Sequence, residues 1–172
     1  MRILVVYESM FGSTEQVARA IADGLAPVTQ AEVVNVDDAP ADLAGVDLLV
    51  VGGPTHVHGM SRASTRQSAA DRSKEGVRSR ERGMREWLDS LGRAPEGLRA
   101  AVFDTRVDKA RWVTGSAAAG AAKLLRRKHF ELVAEPESFL VTGADVAELV
   151  GGELARARDW GGALASTPVA KG

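Results

Sequence analysis

Cysteine is absent from this chain of 172 residues. Its absence excludes disulfide bonds, iron–sulfur clusters, cysteine-ligated zinc and thiol catalysis, so any redox activity requires a bound cofactor. The chain also lacks an apolar run of about 18 residues, the length that predicts a membrane-spanning helix. Its first apolar run, Ile3 to Val6, is too short for the apolar region of a signal peptide. We therefore expect a cytoplasmic protein without a membrane span.

An excess of charge of either sign is lacking as well. The 22 Lys and Arg residues nearly balance the 23 Asp and Glu residues, which leaves a formal net charge of −1 at pH 7. This balance argues against nucleic-acid binding, which usually needs a basic surface. The length predicts one globular domain. We place it at residues 1–166, followed by a frayed tail at 167–172.

Apolar runs alternate with helical patterns along the chain. The runs that predict strands cover residues 3–7, 32–36, 47–53 and 98–103, and a last, split strand covers 131–134 and 139–141. The helical patterns cover residues 15–25, 84–91 and 116–128 and a final segment that includes 154–164. Such alternation predicts an α/β fold, with a parallel sheet covered by helices on both faces.

The turn between the first strand and the first helix is rich in hydroxyl groups. Its residues are Ser9, Met10, Phe11, Gly12, Ser13 and Thr14. The free N–H groups and the dipole of a helix N-terminus favour a phosphate there. The turn has neither the lysine of a Walker A loop nor the G-x-G-x-x-G of a dinucleotide site, so a phosphate monoester is the better ligand. A structural alternative is that Ser13 only caps the helix, with Gln16 completing a capping box.

Residues 9–14 resemble the phosphate loop of the flavodoxin family, written (S/T)-x-(S/T)-G-x-T, although Phe11 stands where a hydroxyl residue is common. The resemblance implies a flavodoxin-like, doubly wound, five-stranded parallel sheet of order 2-1-3-4-5 in a three-layer α/β/α arrangement. It also implies FMN as the cofactor. In this strand order, the loops after strands 1, 3 and 4 meet at one carboxyl edge of the sheet, where the ligand binds.

The segment after the third strand resembles the family's loop beside the flavin ring. Its predicted cofactor-binding residues are Pro54, Thr55, His56, Val57, His58 and Gly59. An imidazole replaces the tryptophan of many flavodoxins, and a protonatable ring there would make the flavin potential depend on pH. A plain surface turn is the alternative. The two histidines have no third ligand in the same stretch, so we expect no metal site.

The segment after the fourth strand is predicted to complete the ring site. The resemblance places Asp104, Thr105, Arg106 and Trp112 there. Trp112, outside every predicted helix, would cover the outer face of the flavin or else anchor its own loop to the core. Asp104 would lower the flavin potential, whereas Arg106 would raise it or pair with Asp104. We predict no catalytic side chain, because the flavin supplies the chemistry.

A basic insertion occupies residues 62–86, with eight basic and four acidic side chains. Such a run is typical of a solvated face. It contains no aromatic residues, which argues against stacking on single-stranded nucleic acid. Because it directly follows the predicted ring loop, the alternative is a lid or docking surface for an acidic protein or an anionic substrate.

Three functions are compatible with these features. We expect an electron carrier that docks with redox partner proteins, a reductase and an acceptor oxidase, as a monomer or a weak homodimer. The second possibility is an FMN-dependent oxidoreductase of the NAD(P)H/quinone or protoporphyrinogen type. The third is a binding module that has lost FMN, which Phe11 and the missing ring tryptophan favour. The nearly neutral chain differs from the acidic carriers of the family, which weakens the case for docking to basic partners.

Overall fold

The computed structural model describes residues 1–143 and 146–167. The strands are β1 (Ile3–Tyr7), β2 (Glu32–Asn35), β3 (Leu48–His56), β4 (Gly59–Met60), β5 (Arg99–Val107), β6 (Glu131–Leu132) and β7 (Glu137–Val141). The helices are α1 (Ser13–Leu25), α2 (Ala63–Arg72), α3 (Met84–Ser90), α4 (Arg111–Thr114), α5 (Ala117–Arg127) and α6 (Glu153–Ala165). A 3₁₀ turn at Val36–Asp38 follows β2. None of the helices in the described part of the chain is long and apolar enough to cross a membrane.

The main sheet is parallel, in the order β2-β1-β3-β5, with β6 and β7 both along the outer edge of β5. β6 pairs with the start of β5, at Arg99, and β7 pairs with its last five residues, from Phe103 to Val107. The predicted strand order and the split in the last strand are both confirmed. β4 forms a short antiparallel hairpin with the end of β3, which the sequence did not predict.

Helices cover both faces of the sheet, because its central strands are apolar on both sides. One cluster joins sheet residues such as Leu4 and Leu49 to Trp87 of α3 and Leu125 of α5. The cluster on the other face includes Phe103 and the residues of α1 and α6 that pack on it. The predicted three-layer α/β/α architecture is therefore confirmed.

Glycine allows α1 and α6 to cross at close range. A Cβ on Gly24 of α1 would lie 2.0 Å from the carbonyl oxygen of Arg158. A Cβ on Gly161 of α6 would lie 2.2 Å from the carbonyl oxygen of Ile21. Real Cβ atoms do not approach backbone this closely, so the two helices pack backbone to backbone at this crossing.

Two strands run further than the sequence predicted. β3 ends at His56 instead of Gly53, because its last residues pair with β4 and β5. β5 ends at Val107 instead of Phe103, because β7 pairs with the polar residues that follow. Asp104, Thr105 and Arg106 are thus strand residues, and the prediction of a loop there was wrong.

Two further predictions near the site are corrected. Trp112 lies in the short helix α4, which has only four residues, too few to show helical periodicity in the sequence. The N-cap of α1 is Gly12, at φ 104°, and it makes no side-chain cap hydrogen bond. The capping box proposed for Ser13 is therefore wrong, since the Ser13 hydroxyl donates to the carbonyl oxygen of Ala147 at 2.8 Å instead.

The basic insertion is only partly a solvated face. It contains α2, and it buries Arg66, Ser79 and Met84. These side chains are covered because the insertion folds back over the carboxyl ends of β1 and β2, where it bonds to Glu8, Ser9 and Asp37. The predicted frayed tail lies outside the described residues, apart from Thr167.

Candidate functional site

The carboxyl ends of β1, β3 and β5 enclose a cavity of about 120 Å³. It is lined by nine of the predicted binding residues, namely Ser9, Met10, Phe11, Ser13, Thr14, Pro54, Thr55, Thr105 and Arg106. They come from three segments that are far apart in the sequence. The parallel strand order brings these segments together at one edge of the sheet.

The loop from Ser9 to Thr14 presents backbone donors to this cavity. The Ser9 hydroxyl accepts a hydrogen bond from the N–H of Gly12 at 3.1 Å, which closes the loop. No described residue accepts a hydrogen bond from the N–H of Ser13 or of Thr14, the first two residues of α1. Two free N–H groups and the positive end of a helix of 13 residues suit an anion.

The hydroxyl groups of this loop are already engaged within the protein. Thr14 Oγ1 lies 2.8 Å from Thr105 Oγ1, and both side chains are buried. This bond joins the start of α1 to β5 across the cavity. The proton of the Ser13 hydroxyl is committed to Ala147. A phosphate in this loop would therefore rely mainly on backbone N–H groups, whereas the sequence had emphasised the hydroxyls.

Arg106 supplies a buried donor without a partner at the cavity wall. Its Nη1 donates to the carbonyl oxygen of Lys109 at 2.7 Å. Its Nε is buried and has no hydrogen-bond partner among the described residues. Buried polar atoms are nearly always satisfied in folded proteins, so this unpaired donor in the cavity wall is a candidate ligand contact. The other unpaired buried side-chain atom among the described residues, Asp104 Oδ1, belongs to a residue that does not line the cavity.

Asp104 supports the site from behind the cavity wall. Its carboxylate is fully buried, and Oδ2 accepts from Ser116 Oγ at 2.6 Å and from the N–H of Ala118 at 2.9 Å. Ser116 is the N-cap of α5 and Ala118 lies in its first turn. Asp104 thus holds the N-terminus of α5 against β5, a favourable position for a carboxylate, and it does not line the cavity.

The hairpin between β3 and β4 ends in a strained turn. Val57 and His58 have φ values of 40° and 68°. A β-branched residue at positive φ is rare and strained, and such strain clusters at functional sites. The turn is docked on the end of α4, where His58 forms a bridge with Gly115. Gly59 follows the turn and pairs with His56.

Exposed apolar side chains lie on both of these docked segments. Val57 at the hairpin tip is 82% exposed, and Trp112 on α4 is 87% exposed. Single exposed apolar residues are ordinary, but these two lie on segments that the bridge from His58 to Gly115 joins. The hairpin also carries the cavity-lining residues Pro54 and Thr55, so these segments are a candidate contact surface.

His56 is largely buried and stays neutral near pH 7. Burial, together with the nearby positive charges of Arg66 and Arg72, lowers its pKa to about 4. Its Nδ1 lies 3.2 Å from the hydroxyl of Thr65. His56 therefore does not provide the ionisation near neutral pH that the sequence suggested. In the described residues, no three His, Cys, Asp or Glu side chains form a group that could hold a metal ion.

A buried clamp that the sequence did not predict holds the insertion to the site. Glu8, directly after β1, accepts a hydrogen bond from the N–H of Met84 at 2.7 Å and another from the hydroxyl of Ser61. Arg66 donates to the same hydroxyl at 3.0 Å and pairs with Glu86 at 3.0 Å. Burial raises the pKa of Glu8. The only sequence signal was a carboxylate at the end of an apolar strand.

Comparison with known proteins gives one family and many related structures. A family model described as flavodoxin matches residues 5–103. Comparison with curated protein sequences gives no match.

Among solved structures, the chain is similar to a flavodoxin from the domain Archaea, with 18% identity over 96% of both chains and a TM-score of 0.65. It is also similar to flavodoxin 1 of Bacillus cereus, with 18% identity over 94% of this chain and 95% of the other and a TM-score of 0.61. The flavodoxin of Streptococcus pneumoniae TIGR4 shows 15% identity over 98% of this chain and all of the other, with a TM-score of 0.66. Identities this low establish a common fold.

Proposed function

The chain belongs to the flavodoxin family, whose cofactor is FMN, and we propose that it carries electrons between redox partner proteins. The described residues suit this cofactor. The free N–H groups of Ser13 and Thr14 would hold the phosphate, and Arg106 Nε would donate to the ligand further along the cavity. When bound, FMN supplies reversible electron transfer.

The exposure of Val57 and Trp112 beside the cavity is the observation that carries the proposal. The cavity of about 120 Å³ is smaller than a typical ligand pocket, so a ring bound in it extends to the surface. A carrier needs such a surface, because electrons pass to another protein at a docked interface. We propose that the hairpin tip and α4 form this interface, with a reductase and an acceptor oxidase as the partners.

An oxidoreductase acting on a small substrate would need space beside the ring. A larger groove, of about 910 Å³, lies on the phosphate side. Its lining includes Phe11 but not Pro54, Thr55 or Thr105. This position favours a carrier over a quinone reductase. A cytoplasmic location and a monomer or weak homodimer stay predictions.

A coupled assay tests the proposal. FMN-loaded protein is mixed with NADPH, catalytic amounts of an NADPH-dependent flavoprotein reductase, and cytochrome c as acceptor. We expect cytochrome c reduction to rise with the concentration of the FMN-loaded protein and to stop when the reductase is left out.

Two results would overturn the carrier function. Direct NADPH oxidation in the presence of a quinone, without the reductase, would show an enzyme instead. Failure of the apoprotein to bind FMN at all would show a binding module. Protein without FMN is the matched control for each measurement.

A further inference from the structure

A groove of about 910 Å³ lies on the other side of the phosphate loop from the flavin cavity. Met10 and Phe11 line both spaces, so only this loop separates them. Tyr7 and Asn35, at the ends of β1 and β2, line the groove, and residues 72–78 of the insertion line it with Arg80. The volume is within the range of ligand pockets, about 300–1,000 Å³.

The insertion wall is fixed to the phosphate loop by backbone pairing. The N–H of Ser79 donates to the carbonyl oxygen of Ser9 at 2.9 Å, and the N–H of Ser9 donates to Ser79 Oγ at 2.9 Å. The N–H of Arg78 donates to the carbonyl oxygen of Met10 at 3.1 Å. The Arg78 side chain then lies over the loop, since a Cβ on Gly12 would be 2.8 Å from its Nε.

The same wall is also fixed at the end of β2. The Asp37 carboxylate accepts hydrogen bonds from the N–H groups of Arg80, Glu81 and Arg82, at 2.7, 3.1 and 3.1 Å. The Asn35 side chain donates to the carbonyl oxygen of Arg78 at 3.1 Å. A wall held at both ends is preorganised, so a ligand that binds there loses little free energy in ordering it.

Four cationic side chains line the groove, namely Arg72, Lys74, Arg78 and Arg80. Arg78 is paired with Glu15 at 3.4 Å. The other three have no carboxylate within salt-bridge distance among the described residues, although Glu15 and Glu75 are also in the lining. Arg72 Nε and Arg80 Nε donate to the carbonyl oxygens of Ser68 and Val77, which leaves their terminal nitrogens for a ligand. Such a concentration of unpaired positive charge attracts an anion.

Aromatic surface adjoins these cations. Phe11 is partly exposed and lines the groove, at the loop position where the flavodoxin family commonly has a hydroxyl. Tyr7 also lines it. An aromatic side chain next to several cations is the combination that binds a flat base attached to a phosphate.

We propose that this groove binds a nucleoside phosphate, with its phosphate at Arg72, Lys74 and Arg80 and its base against Phe11. Two sources share this chemistry. One is a free nucleotide, and the other is the adenylate half of FAD, reaching past Phe11 from the flavin cavity. The site goes beyond electron transfer, and only the FAD source rests on the proposed flavin site.

Calorimetric titration tests the site on FMN-loaded protein, with AMP, adenosine and inorganic phosphate as probes. We expect AMP to bind more tightly than either fragment. Arg80→Gln and Arg72→Gln should each raise the dissociation constant for AMP about five-fold, as loss of a partly exposed charge contact does. Arg126→Gln, which removes an equally exposed cation on α5, should leave it unchanged.

Titration of FMN-free protein with FMN and FAD distinguishes the two sources. FAD binding more tightly than FMN, with the difference lost in Arg80→Gln, supports the adenylate half of FAD. AMP binding without any preference for FAD supports a free nucleotide.

Two results would overturn the groove proposal while leaving the carrier function intact. One is that FMN binds but neither AMP binding nor a preference for FAD is found. The other is that phosphate binds as tightly as AMP, which would remove the role of Phe11. Absence of FMN binding would instead refute the flavin site, and AMP binding would still be measurable.

Discussion

At the scale of single residues, His56 couples the stability of the fold to pH. Its pKa is lowered to about 4 by burial and by Arg66 and Arg72, whereas an unfolded histidine titrates near 6.5. Between these values the unfolded chain binds more protons at this residue than the folded chain does. The contribution of neutral His56 to stability is therefore complete above about pH 6.5 and is lost as the pH falls toward 4.

His56→Gln should remove this contribution to the acid sensitivity. We expect the free energy of unfolding of the wild type to fall between pH 7 and 5 by about 1–2 kcal/mol more than that of the variant. Urea unfolding at the two pH values measures the difference. His58→Gln, in the exposed turn, is the control and should behave as the wild type. Equal pH slopes for His56→Gln and the wild type would contradict the burial of this imidazole.

Replacing Trp112 should weaken contact with the partner protein and leave the stability of the fold nearly unchanged. Because its side chain is 87% exposed, Trp112→Ala should change the free energy of unfolding by less than about 0.5 kcal/mol. The rate of electron delivery to the acceptor should fall about five-fold, as loss of an exposed aromatic anchor at an interface does.

Val28→Ala is the matched control for Trp112→Ala, because Val28 is exposed after the C-terminus of α1, away from the cavity. Stopped-flow absorbance of the FMN-loaded proteins compares the rates. Equal rates for the two variants would place the interface elsewhere.

At the scale of the elements, the crossing of α1 and α6 sets a strict limit on side-chain size. Gly161→Ala would place a methyl group 2.2 Å from the Ile21 carbonyl oxygen, so the helices must separate. We expect a loss of about 1–3 kcal/mol of stability, the usual cost of overpacking. Thermal unfolding followed by circular dichroism measures it.

The neighbouring Gly162→Ala provides the control for this crossing. Its Cβ would lie 3.7 Å from the nearest backbone oxygen, which is ordinary contact. Alanine is the better helix former, so this variant should gain about 0.5–1 kcal/mol. Equal losses of stability in the two variants would contradict the explanation by crossing distance, because only the Cβ at position 161 would clash with the other helix.

The elements that the sequence predicted correctly are those with a clear apolar pattern, which is a continuous run in a strand and a helical spacing in a helix. The central strands and the helices α1, α3 and α5 show it, and they determine the sheet order and the position of the cavity. α2 was missed because its sequence has no apolar periodicity, and its buried side chains are Arg66 and Ala69. The end of β5 was missed because pairing with β7, and not local apolar character, extends it through Asp104 and Thr105.

The candidate site was predictable to a similar degree. The phosphate loop could be located because its residues are contiguous and adjoin a strong strand and helix pattern. The clamp between Glu8 and Ser61, and the pairing of Ser9 with Ser79, join residues 53 and 70 positions apart. No local pattern encodes such contacts, so only the folded chain shows that the basic insertion is built onto the loop.

At the scale of the whole molecule, Glu8 connects the sheet to the insertion. Glu8→Ala would leave the buried N–H of Met84 and the hydroxyl of Ser61 without this acceptor, at a cost of about 3 kcal/mol. Glu8→Gln fills the same space, and its amide oxygen can still accept from the N–H of Met84, so this variant should be far less disruptive. Limited trypsin digestion should then cleave the insertion between residues 72 and 82 faster in Glu8→Ala than in Glu8→Gln.

Glu153→Ala separates this local release from general loss of stability. Glu153 is another buried carboxylate, which accepts from the N–H of Leu140 in β7, at the outer edge of the sheet. Glu153→Ala should lower the free energy of unfolding, but trypsin should not cleave the insertion selectively in this variant. Mass spectrometry of the first fragments identifies the cleaved bonds, and cleavage elsewhere first in Glu8→Ala would show that the clamp does not hold the insertion.

The split of the last strand has a consequence for how copies of this protein behave at high concentration. One outer edge of the sheet is β2, with only four residues, and the other is broken into pieces of two and five residues by the interruption between β6 and β7. A long, flat edge strand is a template on which another chain can add its own strand and begin aggregation. Here neither edge offers such a template, so the fold itself protects a crowded solution of this protein from growth of intermolecular sheets.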